Sequence, residues 1–114
     1  MIVYSHPDCL LKFNGKGHPE RKERLDSILE SIKLSDLKVE FKEAPKVDLE
    51  IVSLVHPKKY IQQIFTNIPE EGIIGVEKEP YADTMLCPHS KNAILRSCGS
   101  GIAAADDLIK NNER

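Results

Sequence analysis

Arg21 and Arg24 stand three positions apart behind a His18-Pro19-Glu20 step, in a charged run that ends at Leu25. A guanidinium is a planar fork that holds a carboxylate through two parallel hydrogen bonds and keeps its charge at any ordinary pH. The plainest use of the run is local. Glu20 and Arg24 are four apart, the spacing at which a helix pairs them for roughly 0.2–0.5 kcal/mol. A second candidate is Asp83-Thr84, with Tyr81 two residues before it. Pairs of this kind usually build turns, because the side-chain oxygens hydrogen-bond their own backbone.

His6, Cys9 and His18 raise the question of a metal, since His-x2-Cys is a workable zinc pair. A structural zinc site needs four nitrogen or sulfur ligands in a closed geometry, and the loop after Cys9 offers no fourth. Cys87 and His89 flank Pro88 as a similarly incomplete pair. The expectation is that no zinc is bound by these residues. Gly99-Ser100-Gly101 through Ala104 fits the dinucleotide pattern G-x-G-x-x-A, but ten residues leave no room for the second strand and its ribose-binding acid. Small residues in a helix more often permit close backbone packing. No Gly-x-Ser-x-Gly elbow supports a serine nucleophile.

The elements that must position these groups follow from patterning. Ile2-Val3-Tyr4 reads as an opening strand and Val39-Phe41 as a second one, ending before Pro45. Pro19 is expected in the first turn of a helix, where its missing N–H is not needed, with Leu25, Ile28, Leu29 and Ile32 as its apolar stripe. Asp48 suits the N-cap of a short helix through about Leu54. Pro57 opens another, with Tyr60, Ile61, Ile64, Phe65 and Ile68 on its buried face. From Asn67 to Pro88 a long loop is expected, with a strand at Ile73-Ile74. A last helix spans about Ser90 to Lys110, with Ala93, Ile94, Ile102, Ala105, Leu108 and Ile109 facing inward.

The chain has 114 residues, of which 40% are apolar, enough for one small domain that buries roughly two-thirds of its unfolded surface. Sixteen basic and eighteen acidic residues are interspersed and sum to −2, which argues against a nucleic-acid or anionic-membrane surface. No run approaches the length of a membrane span. Three widely spaced cysteines and no secretory leader fit a cytoplasmic protein with reduced thiols. The element order suggests an α/β sandwich with a small, partly parallel sheet and packed helices over residues 1–114. Such a sheet leaves an open edge and exposed apolar surface, as a piece of a larger domain would.

The His18-Pro19-Glu20-Arg21 step with Arg24, then Val55-His56-Pro57 leading to Tyr60-Ile61, then Asp83-Thr84, then Ser90 opening an Ala- and Gly-rich helix, closely resembles the histone-deacetylase-like zinc amidohydrolases. That family includes histone deacetylases, acetylpolyamine amidohydrolases and acetoin utilization proteins. The resemblance runs in order along the whole chain. One departure is Lys12-Phe13, where the family often has a histidine. The resemblance implies the N-terminal part of an arginase/deacetylase-like fold and hydrolysis of acetylated lysine or polyamine-type amides. It implies that Arg24 lies near the foot of the active-site channel and meets the acetate product. It also implies that Asp83 accepts substrate hydrogen bonds at the rim, with Tyr81 beside the mouth. The full-length family holds zinc with two Asp and one His, from a His-His region and an Asp-x-His motif further along. Neither motif occurs here, so these residues alone are expected to be inactive toward an acetylated peptide or small molecule unless completed. The other expectation is a complete, non-catalytic module that assembles with itself or another chain through exposed apolar faces.

Overall fold

The computed structural model describes residues 1–77 and 83–111. Strand β1 (Ile2–Ser5) pairs in parallel with β2 (Glu40–Glu43), in the register Ile2 to Glu40 through Ser5 to Glu43. Parallel neighbours need a crossover, and helix α1 (Lys22–Leu34) supplies it. A 3-10 turn at Pro7–Leu10 follows β1, capped by His6, whose Nδ1 accepts from the Asp8 N–H at 3.0 Å. Helix α2 (Leu49–Val52) starts at Asp48, whose carboxylate accepts from Glu50 N–H at 3.0 Å, as its residue type predicts. Helix α3 (Lys58–Thr66) begins directly after Pro57. A two-residue antiparallel ladder joins β3 (Ile74–Gly75) to β4 (Met85–Leu86). Helix α4 (Ser90–Asn111) closes the order. The result is an α/β arrangement with one small parallel sheet and a separate hairpin.

The core gathers around the first half of α4 rather than around the sheet. Ala93 and Leu95 are buried with Ala44, Val47, Ile64, Leu86 and Cys87, and Ser90 is fully buried among them. Ser90 Oγ accepts from the Cys87 N–H at 2.9 Å, closing the N-terminal end of the helix. The 44–47 segment crosses α4 at backbone distance, with Val47 N–H donating to Leu95 O at 3.0 Å. A Cβ on Gly99 would sit 1.8 Å from Pro45 O. The glycine is therefore the close-packing residue that its helical setting suggests, and it opens no phosphate loop.

Several expectations are corrected. Pro19 lies two residues before the N-cap Arg21, outside the first turn. Its place is in the turn made by His18, whose Nδ1 accepts from Glu20 N–H at 3.0 Å. The α1 stripe is only half covered, with Ile28 51% exposed. On α3 only Ile64 is buried, and Tyr60 is exposed. Along α4 the expected inward positions hold for Ala93, whereas Ile102, Ala105, Leu108 and Ile109 are exposed. The loop before Pro88 contains a second strand, β4. The three departures in helix burial share one cause. Periodicity reports which face is apolar, but two two-stranded ladders are too small to cover such faces.

The same deficit is visible in the whole molecule. Its accessible surface is 8443 Å², where a folded monomer of this mass exposes ~6300 Å². Its radius of gyration is 15.8 Å, where a compact domain of this length has ~13 Å.

Candidate functional site

Two glycines in the left-handed region, Gly15 at φ 109° and Gly17 at φ 80°, turn the chain back so that His18 N–H reaches Gly15 O at 3.3 Å. Asn14 ties this turn to the start of α1 by donating to Glu20 O at 2.9 Å. His18 is thereby held with Nδ1 facing its own backbone and Nε2 facing outward. Nε2 lies 3.9 Å from Oδ1 of Asp83. The structure thus brings together His18 and Asp83, which are 65 residues apart by their numbers.

Asp83 and Thr84 sit where the β3–β4 hairpin ends. The ladder continues one step past its strands through Val76 N–H to Thr84 O at 2.9 Å. Glu77 then accepts from Asp83 N–H at 3.2 Å, Thr84 N–H at 2.9 Å and Thr84 Oγ at 2.6 Å. Those bonds, led by the one from the Thr84 hydroxyl, hold the Glu77 carboxyl below the usual glutamate range. The Asp83 side chain itself is 97% exposed. Tyr81 lies outside the described residues.

His18, Glu20 and Asp83 stand at one side of a cavity of about 460 Å³, whose walls include Ile61, Ile64, Phe65, Leu86 and Leu95. Polar groups at a concave apolar site fix orientation while the walls supply contact area. His56 and Tyr60 also line it, their rings 5.9 Å apart and tilted at 40°. Lys12 borders this cavity and a second one, and burial pulls its ammonium below the usual lysine range.

Arg24 is not part of that first cavity. It pairs with Glu20, which lies just before the N-cap of α1, and remains more than half exposed. It lines the second space, a cleft of about 620 Å³ between α1, β1 and α4, together with Arg21 and the α1 stripe. Arg24 and Asp83 therefore face different openings in these residues.

The histidines and cysteines considered for zinc are otherwise engaged. His6 lies between Asp8 and Glu43, and Arg96 bridges the same two carboxylates at 3.2 and 3.4 Å while donating to Ala44 O at 2.8 Å. Cys9 Sγ faces Ala93 O, and burial pushes its thiol up. Cys87 is also buried, which raises its thiol. The bonds from Phe13 N–H at 3.3 Å and from Ser90 and the His89 backbone outweigh that, so it lies below the usual range. Among the described residues no group of three or more His, Cys, Asp or Glu is placed to hold a metal ion. All three cysteines are free thiols.

Two groupings had no sequence signal. Glu77 is seven residues from Thr84, and only the hairpin register puts them face to face. Arg96, Asp8 and Glu43 come from three separate elements.

A parallel strand pair bridged by a helix, with α4 packed against it and an exposed carboxylate bordering a mostly apolar cavity, defines an α/β protein with a ligand-sized recess. The family model of the histone deacetylase domain matches residues 18–114. The chain belongs to that family. No curated protein matches it. Among the described residues no helix is long and apolar enough to cross a membrane.

Proposed function

We propose that this chain supplies the substrate-contact side of a zinc-dependent deacetylase-like hydrolase acting on acetylated lysine or polyamine-type amides. One observation carries the reading: the Asp83 carboxylate stands exposed beside His18 at the mouth of an apolar recess. A linear amide substrate has an aliphatic stem that the recess can take and N–H or ammonium groups that a carboxylate can accept from and attract. Arg24 is assigned to the product side, where its guanidinium would bind a carboxylate. In the structure one nitrogen of its fork, Nη1, donates to Glu20, and a product carboxylate would bind through the remaining donors. Tyr81 is assigned to the mouth by its sequence distance from Asp83. The arginase-like placement of the whole and a cytoplasmic setting, which the three free thiols favour, belong to the same proposal.

The zinc of the family does not fit the residues present. The histidines are dispersed, His6 is held between two carboxylates, and neither a His-His pair nor an Asp-x-His motif occurs. We therefore propose that residues 1–114 alone do not hydrolyse an amide. The test is turnover of an acetyl-lysine peptide by the purified chain with added zinc. The reading expects none above a mock preparation, and chelator-sensitive turnover would overturn the inactivity.

A second reading, a non-catalytic module that assembles with itself or another chain, is favoured by the excess accessible surface. The ~2000 Å² above expectation exceeds the ~800 Å² that each partner contributes to an interface of standard size. Sedimentation at micromolar concentration tests it. A monomer that unfolds cooperatively would count against obligate assembly.

A further inference from the structure

We propose that Glu77 is the positioning residue of the rim: its carboxylate clasps the Asp83-Thr84 turn and so fixes where the Asp83 carboxylate stands over the recess. The proposal rests on the reading of Asp83 as a substrate contact and deepens it.

Glu77 uses both of its oxygens. Oε2 accepts from the N–H groups of Asp83 and Thr84 at 3.2 and 2.9 Å, and Oε1 accepts from Thr84 Oγ at 2.6 Å. Three donors from two consecutive residues converge on one charged acceptor, and such bonds are roughly twice as strong as neutral ones. The register explains why Glu77 can do this. Gly75 pairs with Met85, Val76 N–H reaches Thr84 O, and Glu77 is the next residue beyond that last ladder bond.

Asp83 depends on this clasp because little else holds it. Its side chain is 97% exposed, and His18 Nε2 at 3.9 Å is beyond hydrogen-bond distance. The point from which the Asp83 side chain reaches out is therefore set by its backbone, and that backbone is held by Glu77. The two N–H dipoles and the hydroxyl that point at Glu77 favour its charged form.

Glu77 meets the backbone of Asp83, whose own carboxylate lies 3.9 Å from His18 Nε2. A carboxyl held below its ordinary value contributes its bonds fully above the ordinary glutamate pKa of ~4.3 and loses them as pH falls through the folded value. The clasp is thus at full strength at neutral pH and weakens only in acid.

The experiment uses the 114-residue chain in wild-type, Glu77→Gln, Glu77→Ala and Asp83→Asn forms, with backbone amides followed by NMR. In Asp83→Asn, which removes the neighbouring titration, the Thr84 amide proton should move with a midpoint below ~4.3. The double variant Asp83→Asn, Glu77→Gln should lack that movement. Protection of the Asp83 and Thr84 amides against hydrogen exchange should fall about tenfold in Glu77→Ala and partly recover in Glu77→Gln, which retains one acceptor oxygen. The Ala44 amide, bonded to Ser5 O at 2.9 Å, reports whether the rest of the fold is intact. Unchanged Thr84 titration and protection in these variants, with Ala44 still protected, would overturn the clasp. The positioning role is read separately with the N-methylamide of Nε-acetyl-lysine as probe. Its dissociation constant should rise several-fold in Glu77→Ala, recover in Glu77→Gln and rise in Asp83→Asn. Loss of the clasp with the affinities of all variants equal would overturn the positioning role together with the rim reading beneath it.

Discussion

Gly99→Ala should be among the most damaging single-methyl additions to this chain, and Gly101→Ala, two residues on in the same helix, should stabilise it. Built on the existing backbone, the new Cβ at position 99 lies 1.8 Å from Pro45 O, 2.8 Å from Pro45 C and 3.0 Å from Val47 N. All three are backbone atoms, so no side chain can swing aside. To regain ordinary contact the 44–47 segment must retreat by more than 1 Å. That movement strains the bond between Val47 N–H and Leu95 O, now 3.0 Å, and loosens the buried Ala44 and Val47. Overpacking of this kind costs about 1–3 kcal/mol, and the strained hydrogen bond adds about 1 kcal/mol. Removing a helix-interior glycine returns about 1 kcal/mol. The net expectation is a loss of about 2 kcal/mol. At position 101 nothing lies within 4 Å of the added Cβ, so only the propensity gain of about 1 kcal/mol remains. Urea unfolding followed by far-ultraviolet circular dichroism measures both. With slopes near 2 kcal/mol per molar urea the midpoints should move about 1 M down and about 0.5 M up. Equal shifts of the same sign in the two variants would refute the close-packing account of Gly99.

Further predictions concern separate parts of the fold. Ser90→Ala removes the buried acceptor of the Cys87 N–H and should cost about 1–3 kcal/mol in the same assay. No measurable loss would show that the helix start is capped otherwise. Asp107 accepts from Tyr4 Oη at 2.5 Å and Lys42 Nζ at 2.8 Å, and these bonds lower the Asp107 carboxyl and raise Lys42 and Tyr4. The lowered acid contributes above ~3.9 and is lost as pH falls through its folded value, whereas the raised lysine contributes below ~10.4 and is lost as pH rises through its own. Asp107→Asn should therefore flatten both flanks of the stability profile, which thermal melts across pH would reveal. Among the thiols, exposed Cys98 should react first with a disulfide reagent, and buried Cys87 only on unfolding despite its lowered pKa. Rapid modification of Cys87 in the native chain, located by mass spectrometry, would contradict the packing around it.

Much of the element order was readable because each element carries a local signature. The β-branched Ile2-Val3 run, Asp48 as an N-cap, Pro57 before α3 and the small residues of α4 all act within a few positions of themselves. The Glu20–Arg24 pair was readable for the same reason, being four residues apart, although Glu20 stands just outside α1. What escaped is long-range or short in length. A two-residue strand such as Met85–Leu86 has no period. The approach of His18 to Asp83 and the Glu77 bonds to Thr84 arise only after the Gly15–Gly17 turn and the hairpin have formed. Exposure was misjudged at Ile28, Ile102 and Leu108 because apolar spacing defines a face and says nothing of its cover. The site roles of Asp83, Arg24 and Tyr81 came from resemblance rather than from these signals, and they remain proposals.

The most direct measurement is an NMR titration of the isotopically labelled chain with the N-methylamide of Nε-acetyl-lysine. The account predicts that shifts concentrate on Asp83, Thr84, His18, Phe65 and Leu95 around the recess, and that Asp83→Asn weakens binding several-fold. Shifts confined to the Arg21–Arg24 cleft, or identical affinity in Asp83→Asn, would contradict it.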